Sequence, residues 1–88
     1  MLKVTTTKRF LKDVALAKRR GKDLSKLKEI LECLSLEKEM EPKYRNHRLS
    51  GNFNDRWECH IEPDWLLIYF KTHEEIIFEK TGTHSDLF

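Results

Sequence analysis

Four histidines stand in the second half of the 88-residue chain, at His47, His60, His73 and His84, and Asp64 follows His60 by four positions. An imidazole titrates near neutral pH, so it can accept a proton in one step and return it in the next, each role contributing on the order of 10²–10⁴-fold to a rate. His47, His60, Asp64 and His84 could therefore share proton transfer, and Lys80 adds a cation able to hold a developing negative charge. Such a set suits a phosphodiester that carries its own nucleophile, the 2′-hydroxyl of RNA. One group takes that proton, another protonates the leaving 5′-oxygen, and the cation steadies the charged phosphorane. Base and acid stay unassigned among these residues, because their balance depends on burial. Trp65 or Phe88 could stack on a base, although Trp65 reads equally well as core. His73, in the polar turn Thr72-His73-Glu74, reads as ordinary surface.

Other chemistries lack their residues. Gly21, Gly51 and Gly82 are isolated, so there is no phosphate-cradling loop. No Gly-x-Ser-x-Gly elbow is present. Cys33 and Cys59 make neither a disulfide framework nor a zinc-finger spacing, and each falls on an apolar stripe, which argues against a reactive thiol. No metal or other cofactor is expected. No apolar run is long enough to cross a membrane, and the start, Met1-Leu2-Lys3-Val4-Thr5, does not resemble a secretory signal. A reducing cytoplasm is the expected setting.

The elements that must position this set can be read from periodicity. Leu2 and Val4 alternate with polar neighbours, as in a short first strand. The threonines at 5–7 offer a helix N-cap. Phe10, Leu11, Val14 and Ala17 then recur at helical spacing, and Gly21 follows Lys18-Arg19-Arg20 as a stop. Asp23 caps a second helix with a stripe of Leu24, Leu27, Ile30, Leu31 and Leu34, and the two helices should form an antiparallel hairpin. Residues 37–46 are polar, contain Pro42 and read as a loop; Ser50-Gly51-Asn52 is a turn signal. From Arg56 the period becomes two, with Trp57, Cys59 and Ile61 on one face and Arg56, Glu58 and His60 on the other. Glu62-Pro63-Asp64 is a turn. Trp65 to Phe70 is a continuous apolar run suited to a central strand, and residues 75–81 form the last strand, ended by Gly82. The fold class is therefore α+β: a first strand and an antiparallel helical hairpin packed on one face of a mainly antiparallel sheet. The whole chain makes one domain, and one sheet face stays partly free. Consecutive strand ends bring His60 near Asp64, and His84 joins them if the tail folds back across the free face.

Charge is asymmetric. The formal net charge is +2, yet residues 1–28 hold ten Lys or Arg against Asp13 and Asp23. A basic first third is a plausible docking surface for a polyanion, with Lys8, Arg9, Lys12, Lys18, Arg19 and Arg20 as its core.

Three stretches carry a resemblance: His47-Arg48-Leu49-Ser50-Gly51, then His60-Ile61-Glu62-Pro63-Asp64-Trp65-Leu66-Leu67-Ile68-Tyr69, then Thr81-Gly82-Thr83-His84-Ser85-Asp86-Leu87-Phe88. At this spacing and chain length the sequence closely resembles the YafQ branch of the RelE/ParE toxin superfamily. The resemblance implies the RelE-like fold and the toxin half of a type II toxin–antitoxin pair. It implies a metal-independent endoribonuclease that enters the 30S ribosomal A site and cuts messenger RNA, leaving a 2′,3′-cyclic phosphate and a 5′-hydroxyl. It carries catalytic roles to His47, His60, Asp64 and His84, and contacts with substrate to Trp65 and Phe88. Lys80 stands where the best-known member has Arg, which keeps the charge and loses the bidentate fork. A cognate antitoxin, encoded immediately upstream, is implied as the partner; the basic helical stretch would meet it or ribosomal RNA.

A second class competes. ParE members inhibit DNA gyrase on a similar fold without cutting RNA, and fold alone does not choose. The histidine set favours the nuclease. A plain nucleic-acid-binding module is disfavoured, because the basic stretch and the histidines occupy separate parts of the chain.

Overall fold

The structure is a computed structural model that describes residues 1–49 and 55–88. Its elements are β1 (Lys3–Thr6), α1 (Lys8–Arg19), α2 (Leu24–Ser35), a 3₁₀ turn (Pro42–Tyr44), β2 (His47–Arg48), β3 (Trp57–Glu62), β4 (Trp65–Lys71), β5 (Glu75–Gly82) and α3 (His84–Leu87). The strands form one sheet in the order β1-β5-β4-β3-β2. β1 runs parallel to β5, and the other pairs are antiparallel. The sheet is thus mixed, with its apolar run, β4, at the centre as the sequence predicts.

Both helix starts follow from their caps. The Thr7 hydroxyl accepts from the Phe10 N–H at 2.9 Å, and the Asp23 carboxylate accepts from the Ser25 N–H at 3.0 Å. Gly21, at φ +79°, makes the bend between the helices that a side chain would strain. α2 then runs back from the end where Lys22, just ahead of it, and Lys26 hold Glu62, to Ser35, whose carbonyl accepts from the Leu2 N–H at 2.8 Å. The hairpin is antiparallel, as expected.

The core lies between the helices and one sheet face. Phe10, Ala17, Leu27, Ile30 and Leu34 meet Cys59, Ile61, Trp65, Leu67, Tyr69, Ile76 and Phe78. Leu11 is an exception to the predicted stripe: it is 58% exposed, while Phe10, Val14 and Ala17 face inward. Cys33 is half-buried, and Cys59 is fully buried, which pushes its thiol up to about 12 and keeps it protonated and inert. The opposite sheet face carries a second, smaller cluster of Leu66, Ile68 and Leu87, with Leu49 packed against it.

Two short elements add to the sequence reading. Residues 47–48, which follow the stretch read as a loop, are a short edge strand, with His47 opposite Glu58 and Arg48 opposite Trp57. The short polar tail is structured as well. It forms α3, closed by a reciprocal cap in which the Thr83 hydroxyl accepts from the Asp86 N–H and the Asp86 carboxylate accepts from the Thr83 N–H. The turn expected at Ser50-Gly51-Asn52 lies outside the described residues.

Candidate active site

Period-two alternation sends Glu58 and His60 of β3 to the face away from the helices, beside Leu66 and Ile68 of β4. β2 adds His47 at the sheet edge, and the Pro63–Asp64 turn sets Asp64 at the end. The tail brings His84. Its docking has visible causes. Leu87 buries itself on Leu66 and Ile68. Arg20 clasps Asp86 through two contacts, at 2.6 and 3.3 Å, and Arg9 donates to the Asp86 carbonyl at 3.3 Å. Gly82 allows the close approach: a Cβ there would sit 2.9 Å from an Asp86 carboxylate oxygen. The Arg20 guanidinium holds the Asp86 carboxyl well below the usual carboxylate range.

The result is a row of three imidazoles. Ring centroids are 6.4 Å apart for His47 and His60, and 5.9 Å apart for His60 and His84. Asp64 closes the row: one of its oxygens accepts from the His84 backbone N–H at 2.9 Å and from the ring Nδ1–H at 2.6 Å. Both bonds favour the carboxylate, so the Asp64 carboxyl lies below its ordinary value. With Nδ1 committed to Asp64, Nε2 is the outer nitrogen of His84. This is the carboxylate–imidazole arrangement that fixes tautomer and ring orientation in acid–base sites.

Glu58 was not among the sequence candidates. It is 7% exposed, and its Oε1 accepts from His60 Nε2–H at 3.2 Å while His47 Nε2 lies 3.5 Å away. One carboxylate oxygen thus lies between two of the rings. The signal was present in the chain: Glu58 precedes His60 by two, the spacing that puts two strand residues on one face. His60 itself is only 8% exposed, so it forms the floor of the site, and His84, more than half exposed, forms the rim.

The remaining candidates divide. Lys80, half-buried on β5 opposite Ile68, sends its ammonium to 5.8 Å from the centre of the Phe88 ring, and Phe88 is 59% exposed. Both lie with α3 at the site face. Trp65 does not: it is 1% exposed on the helix side of the sheet, and its indole N–H donates to the Thr81 hydroxyl at 3.0 Å. The register explains this, since Trp65 and Leu66 point to opposite faces. Trp65 is therefore core, and a base cannot reach its ring in this structure. Lys8, Lys12, Lys18 and Arg19 are exposed along α1, whereas Arg9 and Arg20 spend their guanidinium groups on Asp13 and the tail. His73 is exposed in the β4–β5 turn, as expected.

Comparison with known proteins places this geometry. The model of the bacterial toxin of type II toxin–antitoxin systems, YafQ, matches residues 2–88. The chain is 42% identical over 80 residues to the mRNA interferase toxin YafQ of Escherichia coli K12, covering 90% of this chain and 87% of that one. The crystal structure of YafQ from E. coli strain BL21(DE3) superposes with a TM-score of 0.95 at 36% identity, covering 100% and 99% of the two chains. The chain belongs to the YafQ toxin family. The E. coli DinJ–YafQ toxin–antitoxin complex contains a further similar chain, with a TM-score of 0.93 at 38% identity over 99% and 97% of the two chains. The expected family and the RelE-like architecture are both borne out. Within a YafQ-type fold, His47, His60, Asp64 and His84, drawn from three separate stretches of sequence, meet at one end of the sheet.

Proposed function

We propose that this chain is the toxin of a type II toxin–antitoxin pair and that it cuts messenger RNA on the ribosome. The observation that carries the reading is the convergence of His60, His84 and Asp64, with the two rings 5.9 Å apart and Asp64 fixing His84 through Nδ1. Membership of a family whose E. coli member is an mRNA interferase supports it.

In this reading the 2′-hydroxyl attacks the adjacent phosphorus, and the P–O5′ bond breaks. One group of the row takes the hydroxyl proton and another delivers a proton to the departing 5′-oxygen, leaving a 2′,3′-cyclic phosphate and a 5′-hydroxyl. His84, exposed and oriented by Asp64, works at one side of the phosphate; His60, held by Glu58, works at the other. His47 stands beside Glu58 at the sheet edge. Lys80 neutralises phosphate charge as a point charge, and Phe88 offers a ring to a base. No metal ion takes part in the scheme. The exposed lysines of α1 and Arg19 meet ribosomal RNA, so binding weakens as salt rises. This chain's partner is a cognate antitoxin, as DinJ is the partner in the E. coli complex, and here it covers the basic surface in the resting cell.

The test is to map RNA ends by primer extension after brief expression of the chain and of His84→Ala. Cleaved messages with the wild type and intact messages with the folded variant are expected. Intact messages accompanied by DNA damage would point instead to a gyrase inhibitor.

A further inference from the structure

The strand that carries His47 has only two residues, paired His47 to Glu58 and Arg48 to Trp57. Two pairs at a sheet edge hold a side chain poorly, since edge pairing is open to water on one side. Yet one nitrogen of the ring is firmly held. Its Nδ1–H donates to the Arg45 carbonyl at 2.5 Å, which leaves Nε2 facing Glu58. That carbonyl is aimed by an unusual backbone, because Arg45 sits at φ 47°, in the left-handed region that non-glycine residues rarely adopt. Such a conformation persists only where neighbours over-determine it. The neighbour is Asn46. Its side-chain oxygen accepts from the Tyr69 hydroxyl at 2.6 Å, and Tyr69 is a fully buried residue of the central strand, stacked on Trp57 at 6.3 Å.

We infer that Asn46, anchored to the core by the Tyr69 hydroxyl, is the positioning residue that fixes the tautomer and direction of His47. The chain of contacts runs from β4 outward: Tyr69 holds Asn46, Asn46 holds the left-handed turn, and the turn presents the Arg45 carbonyl to His47. His47 Nε2 is thereby kept beside the Glu58 oxygen that His60 shares. Burial pushes the Tyr69 phenol up, so its hydroxyl stays protonated and remains a donor across the range in which imidazoles titrate. The arrangement lets a rigid strand, which never touches the substrate, set the geometry of a ring on a weak edge strand. Its catalytic half rests on the nuclease reading above.

Tyr69→Phe and Asn46→Ala in the full chain test this, the first removing a single oxygen. Long-range ¹H–¹⁵N spectra of the imidazole nitrogens report the tautomer directly. The wild type is expected to show His47 as the Nδ1–H form. Both variants should move its two nitrogens toward averaged values, with His84 unchanged. Ribosome-programmed cleavage should fall about tenfold in kcat with KM held within about twofold, the signature of a misplaced group rather than lost binding. An unchanged His47 tautomer in both variants overturns the inference. A shifted tautomer with unchanged kcat overturns its catalytic half. Should Tyr69→Phe not fold, Asn46→Ala at the half-buried edge decides alone. Absence of cleavage by the wild type would count against the nuclease reading, while the ring spectra would still judge the tether.

Discussion

Replacing Thr81 by Val tests whether Trp65 belongs to the core or to the substrate. The swap nearly conserves volume, so packing changes little. The hydroxyl, however, serves two buried partners: it accepts from the Trp65 indole N–H at 3.0 Å and donates to the Leu66 carbonyl at 2.6 Å. Thr81 is 2% exposed and Trp65 1%, so water cannot take the lost partner's place. An orphaned buried donor costs about 1–3 kcal/mol, and a weakened carbonyl adds a fraction of that. A loss of about 2 kcal/mol moves the midpoint of a domain this size by roughly 10 °C, at about 4–8 °C per kcal/mol. Trp65→Phe removes the donor itself, so the orphan penalty vanishes when both changes are combined. The double variant should therefore be less destabilised than the sum of the singles, by about 1 kcal/mol. Thermal and urea unfolding followed by circular dichroism would read all four proteins. Cleavage measured well below the midpoint should stay within about threefold of wild type for Thr81→Val. Additive single effects, or a Trp65→Phe protein that is fully stable yet inactive, would refute the placing of Trp65 in the core.

Other outcomes follow from the same geometry. Glu58→Gln keeps an acceptor beside His60 and removes the charge between two rings, so single-turnover cleavage should drop by about 10²-fold with folding intact; a loss under threefold would remove Glu58 from the site. The carboxyls of Asp64 and Asp86 lie below their ordinary values through contacts made only in the folded state. Their stabilisation is present above the unfolded value, about 4, and is lost as pH falls through the lower folded one. Urea midpoints taken from pH 5 downward should therefore fall less steeply in Asp86→Asn than in the wild type. Gly82→Ala should push α3 away, because the new methyl meets Asp86 at 2.9 Å; the His84 ring resonances should shift and cleavage should fall at least tenfold, as for a group displaced by about 1 Å.

The strands and helices that bury apolar stripes were legible in the chain, because alternation from Trp57 to Ile61, the run from Trp65 and the spacing of Leu27, Ile30 and Leu34 each report one buried face. The elements that close the site were less so. β2 buries nothing of its own, and α3 is four residues long, so neither produces a period. What betrays them is local chemistry: Thr83 three residues ahead of Asp86 is a capping pair, and Leu87 is an apolar residue with a cluster waiting for it. Glu58 shared a face with His60, yet no pattern distinguishes a carboxylate set between two rings from one that faces water. Trp65 is the opposite case. The family resemblance and the apolar run gave it two roles, and only the alternation across β4 decides between them.

The central claim is that RNA is cut through its own 2′-hydroxyl by the imidazole row. The most direct measurement uses a ribosome-bound message carrying a single 2′-deoxynucleotide at the mapped cleavage position, beside the all-ribose message. The all-ribose message should be cut with a 2′,3′-cyclic phosphate on the upstream fragment and a 5′-hydroxyl downstream, and the deoxy message should stay intact at that position. Cleavage of the deoxy message at the same place, or a 5′-phosphate on the product, would contradict the account.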